Sequence, residues 1–116
     1  MLNFSQQTRV QLFLEPVDMR KSFRGLCQIV ESQLQQDPAS GQWFVFVNRA
    51  GDRMKLLGWD GHGLWIWYKL LERGRFELPQ ADGAHAEIDV TQLSMIIQGV
   101  ALTAPRRLRY QPRPAG

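Results

Sequence analysis

Between Trp43 and Leu70 the chain reads as three strands in succession, Trp43–Asn48, Arg53–Trp59 and Leu64–Leu70. They are parted by Arg49-Ala50-Gly51-Asp52 and Asp60-Gly61-His62-Gly63. Connections so short and so rich in Gly and Asp join adjacent antiparallel strands. With the second turn centred on Gly61-His62, Trp59 faces Leu64, Leu57 faces Ile66 and Lys55 faces Tyr68. Gly58 then meets Trp65, Leu56 meets Trp67 and Met54 meets Lys69. A turn at Ala50-Gly51 sets Phe46 beside Lys55 and Phe44 beside Leu57, with Val45 by Leu56 and Val47 by Met54 on the reverse. A slip of one residue would exchange the two faces. In this register one face is Val45, Val47, Met54, Leu56, Trp65 and Trp67, and the other is Phe44, Phe46, Arg53, Lys55, Leu57, Trp59, Ile66 and Tyr68. Both are apolar, so the pattern is not that of an antiparallel sheet with one solvated side.

The flanks supply cover. Residues 9–14 alternate imperfectly and suggest a first strand, ended with the help of Pro16. Asp18 is placed to cap a helix whose stripe is Met19, Phe23, Leu26, Cys27, Val30 and Leu34, with Arg20, Lys21 and Arg24 off the stripe. Gly25 within that helix costs about 1 kcal/mol against alanine unless another element packs closely there. Asp37-Pro38-Ala39-Ser40-Gly41 is a turn by composition. Glu72-Arg73-Gly74-Arg75 turns the chain again, and Pro79 to His85 reads as a loop. Asp89 opens a second helix with Gln92 placed for a capping box. Leu93, Ile96, Ile97 and Val100 form its buried side, and Gly99 marks its end.

The expected fold class is α+β: an antiparallel β-meander of about four to six strands, open or barrel-like, with two helices packed on it. Two helices suffice for one face, leaving the other to the first strand and loops, to another subunit or to a ligand. Residues 1–104 are read as a single domain and 105–116 as a basic Arg/Pro-rich tail.

At 116 residues the chain has room for one core. Its 44 % apolar and 22 % charged residues belong to the globular range. No apolar run approaches the roughly 20 residues that span a bilayer, and the N-terminus lacks the basic-then-apolar pattern of a signal peptide. With Cys27 as its single cysteine, the chain forms no internal disulfide, so a cytoplasmic protein without a membrane partner is expected.

Charge is unevenly spread. Residues 1–89 carry ten Lys/Arg against eleven Asp/Glu, whereas residues 90–116 carry four Arg and no acid. A basic tail on a nearly neutral body is a handle for a polyanion. The stretch Asp52–Phe76 also holds three of the four tryptophans among Arg53, Lys55, Lys69, Arg73 and Arg75. Rings stack on bases and cations meet phosphate, so this is the composition of a nucleic-acid surface. The residues expected to carry it are Arg53, Lys55, Trp59, Tyr68 and Lys69, with Arg73 and Arg75 beside them and Arg106, Arg107 and Arg109 in the tail. The same composition also builds an ordinary core with solvated flanks.

Catalytic chemistry is scarce. One Cys and two distant His match no zinc spacing, and Gly58-Trp59-Asp60-Gly61-His62-Gly63 lacks the Gly-Lys-Ser/Thr ending of a phosphate loop. Asp60 and His62 share a turn, the minimum for acid–base work, but that composition is foremost turn chemistry. Cys27 sits on an apolar stripe, and Asp52, Asp60, Glu72 and Asp82 flank strands. The reading is no enzyme, no cofactor and no metal.

Six blocks resemble one bacterial family: Val17–Leu26, Asp37–Gly41, Phe44–Lys55, Trp59–Gly63, Tyr68-Lys69 and Leu71–Phe76. The family is the accessory protein TnpB of insertion sequence sixty-six type elements, the product of the second open reading frame. The resemblance runs from about Thr8 to Arg107, with the blocks in order. It departs at Leu70, where a basic residue is usual, and at Ala101-Leu102, where tryptophan is common. Both changes thin a basic or aromatic surface. The resemblance implies a role in DNA transposition beside a separate, larger transposase, and it carries over no catalytic residues. The expected partners are DNA at the element ends, the transposase and other element-encoded proteins, and a second copy of the chain. The alternative to DNA contact is a subunit that grips the transposase or itself.

Overall fold

The structure, a computed structural model, describes residues 7–99, so the tail from 105 to 116 lies outside the described residues. Five strands make one sheet: β1 (Arg9–Phe13), β2 (Trp43–Val47), β3 (Arg53–Trp59), β4 (Leu64–Leu70) and β5 (His85–Asp89). Helix α1 (Phe23–Ser32) lies between β1 and β2 in the chain, and α2 (Val90–Ile97) follows β5 directly. The two short turns fix β2, β3 and β4 as an antiparallel meander. Phe46 faces Lys55, Leu56 faces Trp67 and Gly58 faces Trp65, the register expected from the turn positions.

Beyond the meander the sheet is mixed. β1 lies parallel to β2, and the order across the sheet is β4-β3-β2-β1-β5. A parallel neighbour needs a long crossover, and α1 with its flanking segments provides it. The sheet does not close, because β4 and β5 are both edges, so the architecture is open α+β and not a barrel. β5 falls partly in what the sequence presents as loop. Only Ala86 and Ile88 are apolar in it, too few for the pattern to show. What holds it is tertiary: it pairs with β1 from Arg9 opposite Asp89 to Phe13 opposite His85, and it buries Ile88. On the surface the Arg9 guanidinium meets the Glu87 carboxylate at 3.0 and 2.8 Å, while Gln11 Nε2 donates to Glu87 Oε1 at 2.9 Å.

The two helices cover opposite faces, a correction to the expectation that they share one. Leu26, Ile29, Val30 and Leu34 of the α1 segment pack with Phe13, Phe44, Phe46 and Leu57. Val90, Leu93 and Ile96 of α2 pack with Val10, Leu12, Val45, Met54 and Leu56. Alternation along β2 sends Phe44 and Phe46 one way and Trp43, Val45 and Val47 the other, which explains why both faces are apolar.

Asp18 does not cap α1. Its carboxylate accepts from the Arg20 backbone N–H at 2.8 Å and pairs with the Arg20 guanidinium, closing a turn ahead of the helix. The helix starts four residues later than that cap would place it, with Ser22 at the N-cap and no side-chain cap. At Gly25 a Cβ would lie 3.1 Å from Lys21 Cβ, so the lead-in folds tightly against the first turn. Helix α2 begins as expected. Asp89 accepts from the Gln92 backbone N–H at 2.8 Å, and Gln92 Oε1 accepts from the Asp89 N–H at 3.0 Å. Gly99, at φ +87°, ends it by donating to the Ile96 carbonyl.

Candidate nucleic-acid interface

The α1-facing side of β3 and β4 gathers part of the expected basic-aromatic set. Strand alternation puts Arg53, Lys55 and Trp59 on one face of β3, and pairing sets Tyr68 opposite Lys55. Tyr68 is 46 % exposed, and its hydroxyl oxygen accepts from Arg53 Nη1 at 3.1 Å. That bond, ahead of the electrostatic effect of Tyr68, raises the Arg53 pKa, and the guanidinium is charged at any working pH in either case. Arg53 thus stands beside an aromatic ring as a fixed, solvent-facing cation.

Lys55 is placed differently. It is only 7 % exposed, and its Nζ donates to the carbonyls of Met19 at 2.9 Å and Lys21 at 2.7 Å. The same ammonium lies 4.8 Å from the centre of the Tyr68 ring. It is a rivet that ties the segment before α1 to the sheet, with its charge spent on protein groups. By holding the Lys21 carbonyl it fixes the backbone of the lead-in beside Tyr68, while the exposed Lys21 side chain lies back along Gly25, in a cleft shared with Asp18 and Gln28. Helical spacing places Lys21 and Arg24 off the apolar stripe. The approach of the Lys21 backbone to β3 depends on a contact 34 residues apart in sequence, which no local pattern reveals.

The remaining candidates are dispersed. Lys69 pairs with Met54 and so points to the α2 side, in line with Trp65 and Trp67. Trp65 lies over Gly58 and meets Trp43 edge-on, with centroids 5.4 Å apart. Arg73 and Arg75 are exposed in the β4–β5 connection. Arg75 packs on Gly51 and, with Arg49 and Glu15, lines a shallow cleft of about 230 Å³. Trp59 is half-buried near the hairpin turn. Arg106, Arg107 and Arg109 lie outside the described residues.

Among the described residues, Arg9 and Arg20 are the basic side chains held by carboxylates. The Arg20 guanidinium and backbone bonds hold Asp18 down to about 2. Asp60 accepts from the backbone N–H groups of His62 at 2.8 Å and Gly63 at 2.9 Å, which lowers its pKa and occupies it as a turn former. Burial, then the charge of Glu31, pushes the Cys27 thiol up, away from a nucleophile's range. Among the described residues no three His, Cys, Asp or Glu side chains gather where a metal could sit, and no helix is long and apolar enough to cross a membrane.

The family model described as "IS66 Orf2 like protein" matches residues 8–107. The chain belongs to this family. It therefore has an accessory role tied to an insertion sequence, and the match spans every strand and helix described above. Two similar proteins come from Sinorhizobium fredii (strain NBRC 101917 / NGR234). The uncharacterized protein y4hO is 34 % identical over the whole of both chains, and the uncharacterized protein y4jC is 32 % identical over 92 % of each. No solved structure matches the chain. In this IS66 Orf2-like protein the matched stretch includes Arg106 and Arg107 and stops before Arg109.

Proposed function

We propose that this IS66 Orf2-like protein is a non-catalytic accessory factor in transposition of its insertion sequence, meeting DNA at the element ends. The observation that carries the reading is the junction of Arg53, the Lys21 segment and the exposed Tyr68 ring over Lys55. There a ring able to stack on a base stands beside cations able to meet phosphate. Arg53, Lys21 and Arg24 contact the backbone, and Tyr68 and Trp59 supply rings. Arg73 and Arg75 extend the contact past the end of β4, Lys69 adds a cation on the α2 side, and Arg106, Arg107 and Arg109 clamp further phosphates. Lys55 acts through the segment it holds. The protein works in the cytoplasm, where the element's DNA is.

The test is fluorescence anisotropy of labelled duplex and single-stranded DNA with the full chain at two salt concentrations. Micromolar or tighter binding that weakens with salt is expected. Arg53→Gln and Lys21→Gln should each take about 0.9 off the log–log salt slope. A folded sample that binds neither DNA at low salt would sink the proposal. A second reading, a subunit that grips the transposase, is favoured by Phe23, left 43 % exposed on α1. It predicts co-purification with the transposase and no DNA binding.

A further inference from the structure

β4 is an edge strand of seven residues. The bonds closing its two ends, Asp60 N–H to the Gly63 carbonyl and Leu71 N–H to the Asp52 carbonyl, fix the parity of the β3–β4 ladder. In an antiparallel pair hydrogen-bonded and non-bonded positions alternate, so Trp65, Trp67 and Lys69 turn their backbone groups to β3. Leu64, Ile66, Tyr68 and Leu70 turn theirs outward, and among the described residues nothing accepts or donates there. The strand has no proline, one charge, and Tyr68 and Leu70 nearly half exposed. That is an unprotected edge.

The other edge is blunted. The Leu14–Ala84 backbone bond sets the parity there, so β5 turns the backbone groups of His85, Glu87 and Asp89 outward. Asp89 N–H is already given to Gln92, and the Glu87 carboxylate stands among these positions. One edge is open and one is closed by charge and by a helix cap.

We propose that two copies of this chain pair through β4, antiparallel about a two-fold axis at Trp67, to make one continuous sheet. The strand's own sequence selects the occupant and the register. Centring on Trp67 overlaps the full strand: Leu64 faces the second copy's Leu70 and Ile66 faces its Tyr68 as hydrogen-bonded pairs. Trp67 faces Trp67, and Trp65 faces Lys69, as close non-bonded pairs. Every outward N–H and C=O finds a partner, and each Lys69 stands opposite Trp65 and not opposite a second ammonium. Moving the centre to Lys69 would set two ammonium groups face to face and lose pairs at the strand ends. Because β5 is blunted, the contact closes as a dimer and does not propagate. The two-fold is perpendicular to the sheet, so both Arg53–Tyr68 surfaces lie on the same side.

The test uses the full chain. Light scattering after size exclusion should give twice the 13.4 kDa chain mass. In a Cys27→Ser background, Trp67→Cys should cross-link to itself under mild oxidation, because Cα atoms of a non-bonded antiparallel pair are about 4.5 Å apart. Lys69→Cys should not, since four residues of offset separate the two positions by about 14 Å. Should Trp67→Cys fail to fold, hydrogen exchange of the unaltered chain decides. The amides of Ile66 and Tyr68 should slow about tenfold or more as concentration rises through the dimer range. A monomer at several hundred micromolar with fast exchange at these amides overturns the proposal. So does a monomer in which they are protected, which assigns the edge to another stretch of the same chain. A dimer cross-linked through Lys69→Cys but not Trp67→Cys refutes it too, as does a strand protected only when transposase is added.

Discussion

Replacing Lys55 by methionine keeps a long unbranched side chain on β3 and deletes the ammonium. Three interactions go with it: hydrogen bonds to the carbonyls of Met19 at 2.9 Å and Lys21 at 2.7 Å, and the approach to the Tyr68 ring at 4.8 Å. A hydrogen bond from a charged donor is worth about 1.5–3 kcal/mol, and a cation over a ring about 0.5–2. Against this, methionine lifts the cost of desolvating an ammonium that is 7 % exposed, and the freed carbonyls can turn to water. The net expectation is a loss of about 2–3 kcal/mol. With a urea slope of about 1.5–2 kcal/mol/M, the unfolding midpoint should fall by about 1–2 M. The assay is urea unfolding followed by tryptophan fluorescence, paired with Arg53→Gln. That guanidinium is solvent-facing, so its loss should cost under about 1 kcal/mol. Were Lys55→Met to leave the midpoint within about 0.3 M while lowering the salt slope of DNA binding, Lys55 would be a phosphate contact. The rivet argument would then be wrong.

Gly58→Ala should destabilise by about 1–3 kcal/mol, because a Cβ there would sit 2.1 Å from Trp65 Cζ2 and force the indole off Trp43. Near-ultraviolet circular dichroism would report the displaced ring. Asp89→Ala removes the acceptor from the α2 cap and should cost about 1 kcal/mol, measured by thermal unfolding; Asp89→Ser should recover most of it. Asp18 has its folded pKa lowered to about 2 by Arg20, so its contribution is present above the ordinary carboxylate range and lost as pH falls toward 2. Glu87 and Asp60, also lowered, act in the same direction. Between pH 4 and 2 the urea midpoint should therefore fall less steeply in Asp18→Asn than in the unaltered chain, and equal slopes would refute this assignment.

The meander was legible because two turn tetrapeptides, by the places of their centres, set one register for β2, β3 and β4. The α2 cap was legible for a similar reason: Asp89 and Gln92 stand three apart, and the bonds they make are local. Asp18 misled because it is a sound capping residue by type, yet Arg20 two positions on takes both its oxygens. Of the expected surface, Arg53 and Tyr68 meet as diagonal neighbours on one face, while Lys55 turns inward and Lys69 lies on the other face. Alternation states which face a side chain takes and is silent on whether that face is covered.

The sequence by itself determined strand pairing, the apolar character of both faces, the second helix and the family, all of which rest on contacts a few residues apart or on ordered motifs. Tertiary structure decided that β1 joins β2 in parallel, that β5 completes the sheet, that the helices take opposite faces, and that Lys55 is a rivet. Those outcomes depend on pairs such as Arg9 with Glu87 and Lys55 with Lys21, tens of residues apart. Their free energy appears only once the intervening chain has folded, so no local pattern carries it.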